Sequence, residues 1–403
     1  MRRTPYLIAA AVVAVCVALV WWLAAANDSV AALSGGAAAA AGGAGTATGT
    51  GGAAGGAAGS PLTTAAQSAR QAQLALAQGR YERAEQVYSS YRDATRYPHE
   101  SRPIAEHPDQ VHPFAPVSEE NSLRKANGEA LKSVRIRTTQ ERVFLSGAET
   151  VKFTIEATDE TGTVLPMVVS SAAAQSLPES TIPVNLIRAA VSFTDDGSGA
   201  DDQAGDNRYS ARLNPSQQGF ASFSGTIRLL AQVNVKGEAG VVHFDVIYTP
   251  EVPATWAGVR EALEKGSLNF YLKVNVARPG RYVASARVDD ANGQPFALLQ
   301  FNDEVVAGPQ EFKLTLFGAL VRDKRPAFPL QLRDVDGYLL LADKFPDRQM
   351  MARQPGVVHR SRVYSPDQFS DAEWSSEERE RYLAEYGKDA EAARLEVEKL
   401  QGK

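Results

Sequence analysis

Cysteine is almost missing from this chain: its 403 residues contain a single one, Cys16, and that residue lies inside an apolar run. No disulfide, thiolate metal site or cysteine nucleophile can therefore form in the rest of the protein. Positive charge is also in short supply. Lys and Arg number 42 against 47 Asp and Glu, giving a net charge of −5, and no long basic block follows the first residues. That balance removes the electrostatic footprint of a nucleic-acid binder. The chain has no G-x-S-x-G elbow, no P-loop lysine signature and no G-x-G-x-x-G after a strand. His243, in a strand, and His359, in a late loop, have no motif partner. The chain is accordingly read as having no enzymatic activity and no cofactor. A hydrolase built on paired carboxylates is the third alternative, because the separation such carboxylates need is spatial and leaves no sequence trace.

What the chain does have begins at its first residue. Arg2 and Arg3 precede an apolar run from Leu7 to Leu23 that ends in Trp21 and Trp22. A helix over residues 7–26 spans about 30 Å at 1.5 Å per residue, close to the hydrocarbon thickness of a bilayer. Arginines before the span and none clustered just after it predict a cytoplasmic N-terminus. The expectation is thus a single-pass inner-membrane protein with its bulk in the periplasm. The alternative is secretion after signal-peptide cleavage at Ala24-Ala25-Ala26. Val15 before Cys16 does not fit a lipobox.

Composition then divides the chain. Residues 27–60 are a Gly/Ala-rich linker, whose random-coil reach is roughly 30 Å for its length. Residues 61–95 show 3–4 spacing of Ala, Leu and Tyr interrupted at Gly79, which predicts two short helices forming a hairpin. The stretch Leu76 to Ala84, followed by Tyr88, resembles half of a tetratricopeptide repeat, with no second copy. In 96–130, Pro98, Pro103, Pro108, Pro113 and Pro116 predict an extended path without helix. His99, His107 and His112 fall there without a metal-ligand spacing. From residue 131 the period becomes two, as in Val151/Phe153/Ile155 and Val242/Phe244/Val246/Tyr248, with Lys236-Gly237 among the turn signals. This predicts a first antiparallel sandwich over 131–250. A short helical connector over 251–267, WAGVREALEKG at its centre, precedes a second sandwich over 268–345 in which Asn292-Gly293 signals a type I′ hairpin. Residues 346–403 read as an extended segment, a capping box at Ser370 and Glu373 ahead of Trp374, and a charged helix over Ser376–Leu400. Trp256 and Trp374 sit at predicted helix starts. Packing of helix on sheet is therefore preferred over stacking on a sugar.

One cluster carries possible chemistry. Asp195, Asp196, Asp201, Asp202 and Asp206 fall within twelve residues and offer hard oxygen ligands to calcium. The EF-hand spacing fails, because Gly197 and Gly199 stand where oxygen ligands belong and no glutamate closes the loop. The competing reading is a glycine-rich hairpin loop whose aspartates bond their own backbone.

The segment from Phe193 through Tyr209 resembles the DDG…GDG-x-Y hairpin of bacterial immunoglobulin-like envelope modules. Pro279-Gly280-Arg281-Tyr282, Ala297-Leu298-Leu299, Phe317-Gly318 and Leu332 to Tyr338 are similar to segments of the choice-of-anchor X domain proteins. The resemblance implies exported bacterial proteins built from β-sandwiches, with no catalytic residues to carry over. Asn207 replaces the usual hairpin glycine and tolerates the same left-handed backbone. The expected fold is mainly β: two tandem antiparallel immunoglobulin-like sandwiches, with an N-terminal transmembrane helix, a short helical hairpin and a C-terminal helix. The expected role is binding or scaffolding with an envelope protein or a glycan as partner. A carbohydrate- or peptidoglycan-binding accessory protein is the alternative.

Overall fold

The computed structural model describes residues 61–125, 127–178 and 186–402. The predicted membrane span over 7–26 and the linker over 27–60 lie outside them. Among the described residues, no helix is long and apolar enough to cross a membrane. The chain divides after Gln67, and the packing below is that of Ser68–Lys403.

Helix α1 (Pro61–Ala94) leads into β1 (Ser101–Pro103) and two short 3-10 turns, Ile104–Glu106 and Pro108–Val111. Nine strands follow: β2 (Val117–Arg124), β3 (Ala130–Gln140), β4 (Phe144–Ser146), β5 (Val151–Thr158), β6 (Met167–Ser176), β7 (Arg188–Ala190), β8 (Arg208–Leu213), β9 (Gly225–Val235) and β10 (Glu238–Thr249). Then come β11 (Ala254–Glu264), β12 (Ser267–Val276), β13 (Gly280–Asp289), β14 (Pro295–Val305), β15 (Gly308–Leu316), α2 (Gly318–Lys324), β16 (Gln331–Leu340), β17 (Arg348–Met350) and β18 (Gln354–Arg360). Helix α3 (Glu377–Gln401) ends the described chain.

The protein is mainly β, and its buried side chains form two cores. The first lies between the sheet β2-β3-β5-β8 and the sheet β4-β10-β9-β6-β7. Val151, Phe153, Ile155 and Ala157 of β5 all point inward because alternate residues of a strand share a face. Pairing is antiparallel except for β4, which runs parallel to β10. The second core lies between the sheet β1-β14-β13-β16-β17, with β18 also on β16, and the sheet β11-β12-β15. Their expected tandem order is interrupted. Strand β1, from the segment expected to run extended along a surface, pairs with β14 of the second core. That same segment also contributes β2 to the first core and two 3-10 turns.

Two expected helical features change. Residues 61–94 form one helix, continuous through Gly79, whose missing side chain faces open space. A mid-helix glycine costs only about 1 kcal/mol relative to alanine, and packing against α3 offsets it. Helix packs on helix here between the first and last helices of the described residues. Arg70 donates to the Leu400 carbonyl at 3.0 Å, Arg80 pairs with Glu396 at 3.4 Å, and the Tyr91 ring meets Tyr386 and Tyr382 edge-on at 5.3 and 5.7 Å. The second change is at 251–267, where the connector helix is instead β11, paired with β12 from Ala254 to Glu264. Lys265 and Gly266 have φ of 50° and 70°, the left-handed pair of a type I′ turn. Lys236 and Gly237 repeat this at φ 52° and 88° between β9 and β10. At the β13–β14 turn, by contrast, Gly293 is left-handed and Asn292 is not. Asp290 shapes this loop by accepting from the Asn292 and Gln294 amides at 2.8 and 2.9 Å. The C-terminal helix is capped by Ser376, whose hydroxyl accepts from the Arg379 amide at 3.1 Å, rather than by a box at Ser370.

Charge is buried in the second core. Asp289 is fully buried and lies 2.9 Å from Arg287 and 3.0 Å from Arg333. Asp334 closes the lattice at 3.3 Å from Arg287 and 3.2 Å from Arg333, and it accepts from the Gly356 amide of β18 at 2.8 Å. Two carboxylates and two guanidiniums neutralise one another, with Arg287 and Asp289 buried and Arg333 and Asp334 reaching the edge of the core. Removing Asp289 leaves two guanidiniums sharing the single carboxylate of Asp334, an excess positive charge beside the core. Asp289→Ala is therefore expected to lower the unfolding free energy by about 3–5 kcal/mol in urea melts, whereas Asp303→Ala, on the exposed part of β14, should change it by under about 0.5 kcal/mol.

Candidate functional site

The five aspartates of the 195–206 loop do not act alike. Asp195, Asp201 and Asp206 come together, each presenting a carboxylate oxygen within 4.8 Å of the others. Asp196 and Asp202 turn away from them. The Asp196 carboxylate accepts from Ser198, and Asp202 pairs with Lys152 of β5 at 2.6 Å; these bonds lower both pKa values. Much of the inner trio's bonding capacity is taken by backbone. Asp195 accepts from the Asp206 and Asn207 amides at 3.1 and 3.0 Å, Asp201 from Gly197 at 2.7 Å, and Asp206 from Arg208 at 2.9 Å. The carboxylates thus clasp the loop, as aspartates in glycine-rich turns do. Asn207 has φ of 62°, the left-handed conformation its position requires. Beside the loop, a cavity of about 400 Å³ opens on the outer face of the β3-β5-β8 strands, lined by the paired charges Arg137, Arg208 and Glu156.

Sequence spacing gave no sign of the environment of Glu261. On β11, its buried carboxylate lies 3.0 Å from His359 Nε2 and accepts from the Arg362 amide at 2.8 Å and the Tyr364 hydroxyl at 3.0 Å. Burial alone would raise its pKa, but the Arg362, His359 and Tyr364 hydrogen bonds outweigh that and hold it below 4.5. Glu261 and His359 are 98 residues apart, and the helical preference of residues 256–266 masks the strand that aligns them. His243 lies exposed on β10, as its strand-face reading expects.

The two sheet pairs meet through Ser146, whose hydroxyl accepts from the Met350 amide at 3.1 Å. Nearby, a cavity of about 470 Å³ is lined by Arg142, Glu149, Phe114 and Arg353. Burial pushes the Asp336 carboxyl up and the Arg353 guanidinium down, with the two 3.9 Å apart.

The largest of these cavities, about 620 Å³, lies where α1 ends and α3 begins. Its frame is rigid. Arg96 makes two bonds to Asp323 of α2, both 2.9 Å, and the Tyr97 hydroxyl donates to the same carboxylate at 2.7 Å. Burial, then this bond, pushes the Tyr97 pKa up to about 12. The Trp374 amide donates to the Arg96 carbonyl at 3.0 Å, and the ring of Trp374 lines the cavity half-buried. Trp256 behaves differently: on a strand rather than a helix, it packs edge-on to Phe312 and donates from Nε1 to the Ala352 carbonyl at 2.7 Å.

No family model matches the chain, and no curated protein does. Among solved structures it is similar to a DUF4785 family protein from Legionella pneumophila, with 14% identity, coverage of 56% of this chain and a TM-score of 0.37. The chain spans 57% of that protein's length. A DUF3823 family protein from Bacteroides ovatus shows 14% identity over 52% of this chain and 100% of its own, with a TM-score of 0.19. Dimeric latent PorU from Porphyromonas gingivalis shows 11% identity over 61% of this chain and 34% of its own, with a TM-score of 0.17.

Two outcomes are expected. Asp195→Ala should cost about 1–2 kcal/mol through its two backbone bonds. A thermal-shift series in calcium chloride tests the trio separately: a calcium-dependent rise in Tm that Asp201→Asn abolishes would establish a cation site. Because the Glu261 pKa is depressed in the folded state, its contribution is present above the unfolded value and is lost as pH falls through the folded one. Acid unfolding followed by circular dichroism should therefore show a loss of stability below about pH 4.5 that Glu261→Gln flattens.

Proposed function

We propose that this chain is a membrane-tethered, extracytoplasmic binding or scaffolding protein with no reaction of its own. In this reading, residues 7–26 hold it in the inner membrane, the bulk is periplasmic, and its partner is an envelope protein or a glycan. The observation that supports it most is the attachment of α1. This helix follows the Gly/Ala linker directly in the chain, and the segment leaving it is fixed to the second core through Arg96, Tyr97 and Asp323. A flexible linker joined to a core in this way bounds how far the core can range from its point of attachment, to roughly 30 Å by random-coil scaling, while leaving the loops of both sheet pairs free to meet a partner.

The same reading takes the sheet pairs as immunoglobulin-like sandwiches. The parallel pairing of short β4 with β10 in an otherwise antiparallel sheet supports this. The segment by which the chain resembles choice-of-anchor X proteins includes Arg333 and Asp334, both in the buried ionic lattice, so the resemblance bears on fold. Calcium at Asp195, Asp201 and Asp206 stays within the proposal on the strength of their gathered oxygens. The second reading, a carbohydrate- or peptidoglycan-binding accessory protein, is favoured by the aromatic-lined cavity at the helix junction.

Fractionation and crosslinking in intact cells provide the test. The expected result is recovery with the inner membrane after carbonate extraction, at the mass of the uncleaved chain, with reproducible crosslinks to one or two envelope proteins. Recovery as a soluble cytoplasmic protein would overturn the reading.

A further inference from the structure

The helix-junction cavity allows the ligand to be specified, on the premise that the chain is a binding protein. At about 620 Å³ it falls inside the range of roughly 300–1,000 Å³ typical of small-ligand sites. Its walls come from three parts of the chain remote in sequence: residues 91–107, from the end of α1 through β1 and its 3-10 turn; Gln300 of β14; and the approach to α3 with its first turn. Tyr91, Tyr97 and Trp374 supply aromatic surface, while Arg102, Gln300 and Arg379 supply planar polar groups.

Charge narrows the ligand class. Arg102 is paired with Glu106 and donates to the Ala94 carbonyl at 2.8 Å and the Tyr97 carbonyl at 3.1 Å. Arg379, with 8% of its side chain exposed, donates to Glu373 at 2.6 Å and to the Thr95 hydroxyl at 3.1 Å. Both cations are matched by carboxylates of the protein itself. Charges of both signs line the cavity, Arg102 and Arg379 beside Glu106 and Glu378, so a ligand with net charge of either sign meets like charge as well as opposite. A neutral ligand is favoured, and the polar walls require it to carry many groups that both donate and accept.

Shape points the same way. Aromatic surface beside fixed planar donors and acceptors matches a sugar ring, which has apolar C–H faces and a rim of hydroxyls. The surrounding bonds already immobilise Tyr97, Arg102 and Arg379, so little side-chain entropy is lost on binding. A peptide added as a strand needs a run of free edge backbone, and β1, at this edge, is three residues long and ends in Pro103. We infer that this cavity binds a neutral saccharide of one or two rings, with Trp374 as the stacking residue and Gln300 as a hydroxyl partner.

Full-length protein in mild detergent is titrated calorimetrically with chitotetraose, maltotetraose and cellotetraose. At least one should bind saturably, with Kd between about 10 μM and 1 mM. Trp374→Ala should weaken that binding by about tenfold or more, Trp374→Phe should recover part of it, and Gln300→Ala should weaken it about threefold. Trp374 also sits at the junction, so the melting temperature of each variant is recorded. Gln300, exposed on β14, provides a probe of the same cavity that does not depend on that packing. The inference is overturned if none of the three sugars binds saturably, or if binding survives both Trp374→Ala and Gln300→Ala. Displacement of the sugar from neither variant but capture of an envelope peptide through Trp374 would reassign the cavity to a protein partner and overturn it equally. Failure here with membrane recovery and crosslinks intact leaves the tethered scaffold standing. Saturable sugar binding by a chain found soluble in the cytoplasm would do the reverse.

Discussion

Asp323 is the point on which the arrangement turns. Its carboxylate, on the short helix α2, accepts three hydrogen bonds from two consecutive residues, Arg96 and Tyr97. Those residues end the excursion of α1, and the Arg96 carbonyl receives the Trp374 amide that begins the approach to α3. One acidic side chain therefore sets where the first described helix stops, where the last one starts and how both are oriented on the second core. The cavity at the junction exists because these three pieces are held apart at fixed spacing. Charge-assisted bonds suit that task, since they are directional and strong enough to order long side chains.

The fold was legible in the sequence wherever burial imposed a period. Val242, Phe244, Val246 and Tyr248 alternate with polar residues, and that alternation is the inner face of β10. It failed where a strand has little buried face to declare. Strand β11 is an edge whose residues are mostly partly or fully exposed, so Arg260, Glu261, Ala262, Leu263 and Glu264 carried only their helical preference. Lys265-Gly266 adopts the same turn as Lys236-Gly237, but the helical preference of the residues before it masks the signal. Gly79 misled in the opposite sense, because its modest helical penalty is outweighed by a partner helix more than 280 residues away in the chain, as Arg379 and Thr95 show. The aspartate loop was half legible. Local bonding of its carboxylates follows from the glycines, but which three converge is decided by the loop's path. The Glu261 and Trp374 environments had no local signal at all.

The buried charge of the second core sits where strands depart from regular pairing. The register between β13 and β16 shifts beside Arg287, and Asp334 there takes a φ of 54°. The lattice of Asp289, Arg287, Arg333 and Asp334 fills that irregularity and also ties β18 to β16 through Gly356. Apolar packing alone would leave the backbone amides of a bulge unmatched. The ionic groups supply partners in fixed directions, and two of the four, Arg333 and Asp334, fall in the Leu332–Tyr338 segment.

The pairing of β1 with β14 gives the chain a nested order, like one pair of brackets inside another. Helix α1 closes on α3, β1 closes on β14, and the whole of the first core, from β2 to β10, is enclosed between them. As the chain emerges N-terminus first, the inner unit has all its strands available once β10 is out. The residues before it must wait for partners made some two hundred positions later. Folding of the described residues would then run from the inside outward, with α1 among the last elements to find its place and exposed to proteases and chaperones until the final helix arrives.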